Sequence, residues 1–118
     1  ALGRSGIVLS SIVSMWNSVT KTKIPEIRAE LSLIGVNAKE EFATLAQRRE
    51  EIEAALGFPL TWHNLDDKVS CRLYTRRDAD FLNEALWPEQ FKWLKTRLEV
   101  MRKVFAPIIK GLPTVATD

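Results

Sequence analysis

Cys71 is the only cysteine in this chain of 118 residues, and His63 is its only histidine. An internal disulfide is therefore impossible. That removes the usual support of a small secreted scaffold and points to a reducing compartment, the cytoplasm. One imidazole and one thiol cannot close a structural metal site, which takes four ligands, so neither metal nor cofactor is expected. No apolar run approaches the ~20 residues needed to span a bilayer. Gly6–Trp16 after Arg4 resembles a signal-peptide core, but Ser10, Ser11 and Ser14 interrupt it and no small-residue cleavage site follows. Charge of one sign is not in excess either. Seventeen basic and fifteen acidic residues leave a formal charge of +2, too little for global attraction to nucleic acid or to acidic membranes. A glycine-rich phosphate loop is missing. Glu26 and Glu30 share a predicted strand, yet no lysine follows at the spacing of a metal-dependent nuclease. Opening on Ala1 is expected of a processed chain or of a piece of a longer one.

What is there is ordinary globular composition, 46% hydrophobic and 27% charged. The length fits one domain, residues 1–118, with 110–118 as a loose tail. A chain of this size buries roughly two thirds of its unfolded surface, so it folds without staples.

The apolar pattern divides the chain into six elements. Ile7–Trp16 is rich in β-branched residues on both parities, a strand covered on both sides over part of its length. Ile27, Ala29, Leu31 and Leu33 alternate with Arg28, Glu30 and Ser32, the period of a half-buried strand, although Ile24, Ile27, Leu31 and Ile34 also fit a helix face. The unbroken alternation and Gly35 favour the strand. Asn37–Leu56 reads as one helix capped by Asn37 and Glu40, with Phe42, Leu45, Ile52 and Leu56 buried, and Ala38 and Ala46 beside them. Gly57 ends it and Pro59 prevents its continuation. Leu60–Leu65 and Val69–Arg76 form a second hairpin around Asp66–Asp67. From Pro88, Trp87, Phe91, Leu94, Leu98, Met101, Phe105 and Ile108 mark a long helix that Pro107 should stop near Phe105. The expected fold is α+β: a four-stranded, mostly antiparallel sheet in the order β-β-α-β-β-α, with two long helices packed on one face.

Chemistry-bearing residues are sparse. His63 and Cys71 are candidate cross-strand neighbours, but a nucleophile pair needs contact, and no oxyanion hole accompanies them. Asp66/Asp67 and Asp78/Asp80 are paired acids; the first pair is what a turn wants for its own backbone. No catalytic residue emerges. The basic residues offer more. Lys68, Arg72, Arg76 and Arg77 fall in a stretch free of acid, with Tyr74 on the parity of Arg72 and Arg76; Lys21, Lys23 and Arg28 make a second basic spot. Such a face can hold phosphates and stack a base, or it can be the wetted side of a sheet. On the last helix Trp93, Val100 and Val104, with Arg97 between, form a second apolar strip. It suits a homodimer contact or packing against the first helix. Trp16, Trp62 and Trp87 could line a small-molecule pocket between sheet and helices.

Several stretches together resemble an uncharacterised bacterial family, domain of unknown function 4268. They are Arg28-Ala29-Glu30-Leu31, the helix end Arg49-Glu50-Glu51-Ile52-Glu53-Ala54-Ala55-Leu56-Gly57, and Pro59-Leu60-x-Trp62. With them go Leu65-Asp66-Asp67-Lys68-x-Ser70-x-Arg72, Trp87-Pro88-Glu89 and Lys103-Val104-Phe105-x-Pro107. The resemblance implies a domain often placed C-terminal to restriction-endonuclease-like parts, and brings no catalytic residues with it. The combined expectation is a non-enzymatic binding or assembly module accessory to bacterial DNA processing or defence. The alternative is a small-molecule-binding protein or minor enzyme with a tryptophan-lined pocket.

Overall fold

The computed structural model describes residues 6–17, 20–64 and 70–112. Four strands, β1 (Ile7–Ser14), β2 (Glu26–Leu33), β3 (Thr61–Asn64) and β4 (Cys71–Asp78), make one sheet in the order β1-β2-β4-β3. All three pairings are antiparallel. The helices are α1 (Ala38–Ala46), α2 (Arg49–Leu56) and α3 (Trp87–Lys110), the last preceded by a 3-10 turn at Glu84–Leu86. The α+β class and the antiparallel sheet are as expected. The count of two long helices is not, since there are three.

The alternation in β2 does the work predicted for it. Ile27, Ala29, Leu31 and Leu33 are all buried. Ile27 packs with Ala79 and Leu94 in a second, smaller cluster, while the other three join Ile7, Leu73 and Cys71 from neighbouring strands. Leu45 of α1, Ile52 of α2, and Met101, Phe105 and Ile109 of α3 complete this core. The helices therefore cover the face that carries the odd-numbered residues of β2 and β4.

Asn37–Leu56 is not one helix. It breaks at Gln47–Arg48, where the Arg48 N–H bonds to Leu45 O, a tighter turn than the α-helical one. Arg48 then pairs with Glu51, Nη2 to Oε2 at 2.6 Å, across the first turn of α2. The break keeps Leu45, Ile52 and Leu56 all on the core, while Ala46 is exposed and Phe42 half-buried. Asn37 makes no side-chain cap. Gly57 does cap α2, in the left-handed conformation at φ +86°, which glycine adopts without a Cβ penalty.

Pro107 does not stop α3, which runs to Lys110. A proline removes one helical donor, but Phe105 and Ile109 on either side are both buried and hold the last turn on the core. The start of the apolar stripe is also displaced. Gln90, not Phe91, faces inward and donates from Nε2 to Asp80 O at 3.0 Å. Trp87 and Phe91 sit outside, rings 5.9 Å apart. Among the described residues no helix is long and apolar enough to cross a membrane.

Candidate functional site

The second face of the sheet carries the even-numbered residues of β2 and β4, and along β2 it is shielded from water. Glu26, Arg28, Glu30 and Tyr74 are all under a tenth exposed. The register explains how charge survives there. Arg28 lies opposite Arg76, and Glu30 opposite Tyr74. Arg28 Nη1 reaches Glu26 Oε2 at 2.7 Å, and its Nε lies 3.2 Å from Glu30 Oε1. Arg76 Nε binds Glu26 Oε1 at 2.5 Å, and its Nη2 binds Asp78. Arg72 stands 4.0 Å from Glu30. The Arg28 guanidinium also lies over the Tyr74 ring, 5.2 Å from its centre. Three arginines thus meet three carboxylates.

Two described residues of the β1–β2 connection, Asn17 and Lys21, act on this face. Asn17, 2% exposed, donates from Nδ2 to Asp78 Oδ1 at 2.9 Å. The Lys21 charge lies near enough to His63 to act on its titration. Burial, with the Arg72 and Lys21 charges, holds the His63 pKa below its ordinary value. Three buried atoms of the network, Arg28 Nε, Glu30 Oε1 and Arg72 Nε, make no aligned hydrogen bond.

The predicted basic residues therefore fare unequally. Arg72 and Arg76 face carboxylates of β2, supplied from the other hairpin. Arg77 falls on the opposite parity and pairs with Glu89 of α3, Nη2 to Oε1 at 2.9 Å. Lys21 and Lys23 are exposed. Lys68 and the Asp66–Asp67 turn lie outside the described residues. Asn64, not His63, is the partner of Cys71, so histidine and thiol occupy opposite faces. Cys71 is buried, and burial pushes its pKa up, the reverse of what a nucleophile needs. Among the described residues no group of three or more His, Cys, Asp or Glu could hold a metal ion.

The three tryptophans make separate contacts. Trp62 stacks edge-on with Phe42, ring centres 6.0 Å apart, and donates from Nε1 to Glu53 at 3.1 Å. Trp87 donates to Phe81 O at 2.6 Å. Trp16 is about half exposed after β1.

The strip on α3 holds the more open site. Trp93, Arg97 and Val100 line a groove of about 470 Å³ between α3 and the end of α2, closed by Leu56, Gly57 and Phe58, with Arg77, Glu89 and Lys92 at its rim. Val104 lies further along, packed on the core. Arg97 is held between two rings: its guanidinium carbon is 3.9 Å from the centre of Phe58 and 5.3 Å from that of Trp93. Burial alone lowers its pKa. Among the described residues no carboxylate pairs with it, whereas Arg77 has Glu89. The sequence reads Arg97 as one member of a partner strip with Trp93, Val100 and Val104, and leaves Phe58 out of it. The available signal was the run Gly57-Phe58-Pro59, which places an aromatic ring just past a helix end.

An α+β domain with a helix-covered, antiparallel four-stranded sheet and a cationic, aromatic groove is the class these features define. The chain belongs to the family described as Domain of unknown function (DUF4268), which matches residues 2–109. No curated protein and no solved structure matches it significantly.

Proposed function

We propose that this domain is a non-enzymatic binding module that holds single-stranded nucleic acid in the groove between α2 and α3. The observation that carries the reading is Arg97, stacked on Phe58 and Trp93 and without a carboxylate partner among the described residues. A guanidinium fixed by rings is preorganised for a phosphate and loses little freedom on binding it. Lys92 at the rim adds a second positive charge, and the aromatic rings offer a stacking surface for a base. The sheet face is the weaker candidate, because Arg72 and Arg76 already face Glu30, Glu26 and Asp78. A bacterial, cytoplasmic accessory role in DNA processing or defence is the setting that the sequence resemblance implies for such a module.

The test is fluorescence anisotropy of labelled single-stranded and duplex DNA at two salt concentrations. The parent should bind the single strand, more weakly as salt rises. Arg97→Ala should weaken binding about tenfold, in line with the ~1–3 kcal/mol of an aromatic or cationic contact. An Arg97→Ala protein that binds as tightly as the parent overturns the reading. If a mononucleotide binds as tightly as the oligomer, the groove is a small-molecule site instead.

A further inference from the structure

We propose that β1 is a homodimerisation edge, where two copies of this chain join their sheets by antiparallel β1–β1 pairing centred on Ser10. In the order β1-β2-β4-β3 the outer strands are β1 and β3. The β3 edge is four residues long, while β1 runs for eight. An exposed edge of that length is commonly blunted by a charge, a proline or a bulge. Ile7–Ser14 has none of these: its sequence is IVLSSIVS, and its register with β2 is unbroken from Ile7↔Leu33 to Ser14↔Glu26.

The hydrogen bonds fix which backbone groups are free. Gly6 O accepts from the Ile34 N–H at 2.7 Å. Gly6 and Ile34 are therefore a hydrogen-bonded pair, and pairing alternates along an antiparallel ladder. The even-numbered residues of β1 bond to β2. Ile7, Leu9, Ser11 and Val13 direct their N–H and C=O groups outward, where no described strand meets them.

A second copy matches this pattern. A twofold axis between two antiparallel strands runs through a residue opposite its own copy, which keeps the helix-bearing faces of both sheets on one side. Centring on Ser10 sets Ile7 opposite Val13 and Leu9 opposite Ser11 in the two strands. Every outward N–H then meets an outward C=O. No charge opposes a like charge, because the strand has none. The exposed flanking side chains gain cover too: Val13, 55% exposed, comes beside Ile7 of the other copy, and Val8, 36% exposed, beside Ile12.

The test is mass by light scattering across concentrations from micromolar to near millimolar. The parent should approach twice 13.4 kDa. Ser11→Pro removes one outward N–H and no bond to β2, a position where an edge strand accepts proline. It should give a folded monomer at 13.4 kDa with an unchanged far-ultraviolet spectrum. Val13→Lys changes an exposed side chain only and should do the same, so a folding failure of the proline variant leaves the question decidable. A parent that stays monomeric throughout overturns the proposal. So does a Val13→Lys dimer, which would place the contact elsewhere, for instance on Trp93 and Val100.

Discussion

Replacing Arg28 with methionine should be the most destabilising single change on the polar face. Its side chain is 10% exposed and touches two carboxylates that are 0% and 6% exposed. After Arg28→Met, Glu26 keeps Arg76 at 2.5 Å. Glu30 is left with Arg72 at 4.0 Å and the Ser32 hydroxyl at 3.1 Å. One buried carboxylate thus loses its close cation, and breaking a buried pair costs about 3–5 kcal/mol. The retained partner of Glu26 places the value near the lower end, about 3 kcal/mol. For a domain of this size that lowers Tm by roughly 10–20 °C. Urea unfolding should show an earlier midpoint with an unchanged slope, the sign of lost stability without a changed transition. The double variant Arg28→Met/Glu30→Gln should regain more than half of the loss, because the uncompensated charge is gone. A cost below about 1 kcal/mol, typical of exposed pairs, would refute the claim that this network is desolvated. Additive losses in the double variant would refute the coupling.

Two further perturbations probe the α2 end. Glu53 accepts from the Leu60 N–H at 2.8 Å and from Trp62 Nε1, and these bonds, the backbone one foremost, hold its pKa below the ordinary carboxylate value. A depressed folded value stabilises above the unfolded pKa of about 4.3 and is lost as pH falls through the folded one. Glu53→Gln should therefore flatten the acid limb of a stability–pH profile below that point; an unchanged limb would show that the bonds do not persist in solution. Gly57→Ala meets no atom within 4 Å of the new Cβ, but the φ of +86° remains. It should cost about 1 kcal/mol from backbone strain alone, read as a small shift in urea midpoint, and a stabilising result would contradict the left-handed cap.

Local pattern carried much of the fold into the sequence. The strict alternation of Ile27 to Leu33 located β2, and Pro88 with the four-and-three spacing of Leu94, Leu98, Met101 and Phe105 located α3. What stayed hidden depended on partners distant in the chain. Arg72 and Arg76 lie in a stretch without acids, so a wetted basic face was a fair expectation. Two of the acids that meet them, Glu26 and Glu30, stand on β2, with Glu26 lying 50 residues from Arg76; the third, Asp78, lies just past the stretch on β4 itself. The break at Gln47–Arg48 carries no glycine or proline to announce it. Pro107 announced an end that buried neighbours override. The groove was half visible: Trp93 and Val100 stood out as an apolar strip, but the sequence alone could not bring Phe58 onto Arg97.

The order β1-β2-β4-β3 also dictates a folding sequence in time. Each hairpin closes a short loop, from Ser14 to Glu26 and from Asn64 to Cys71, a step that takes microseconds in isolated hairpins. The seam between β2 and β4 joins residues as far apart as Glu26 and Asp78, so it must close later and against more chain entropy. The pairs Glu26–Arg76 and Glu30–Arg72 both straddle that seam. Their charges stay hydrated until the two halves of the sheet meet, and the barrier to folding then contains the dehydration of ions as well as the ordering of chain.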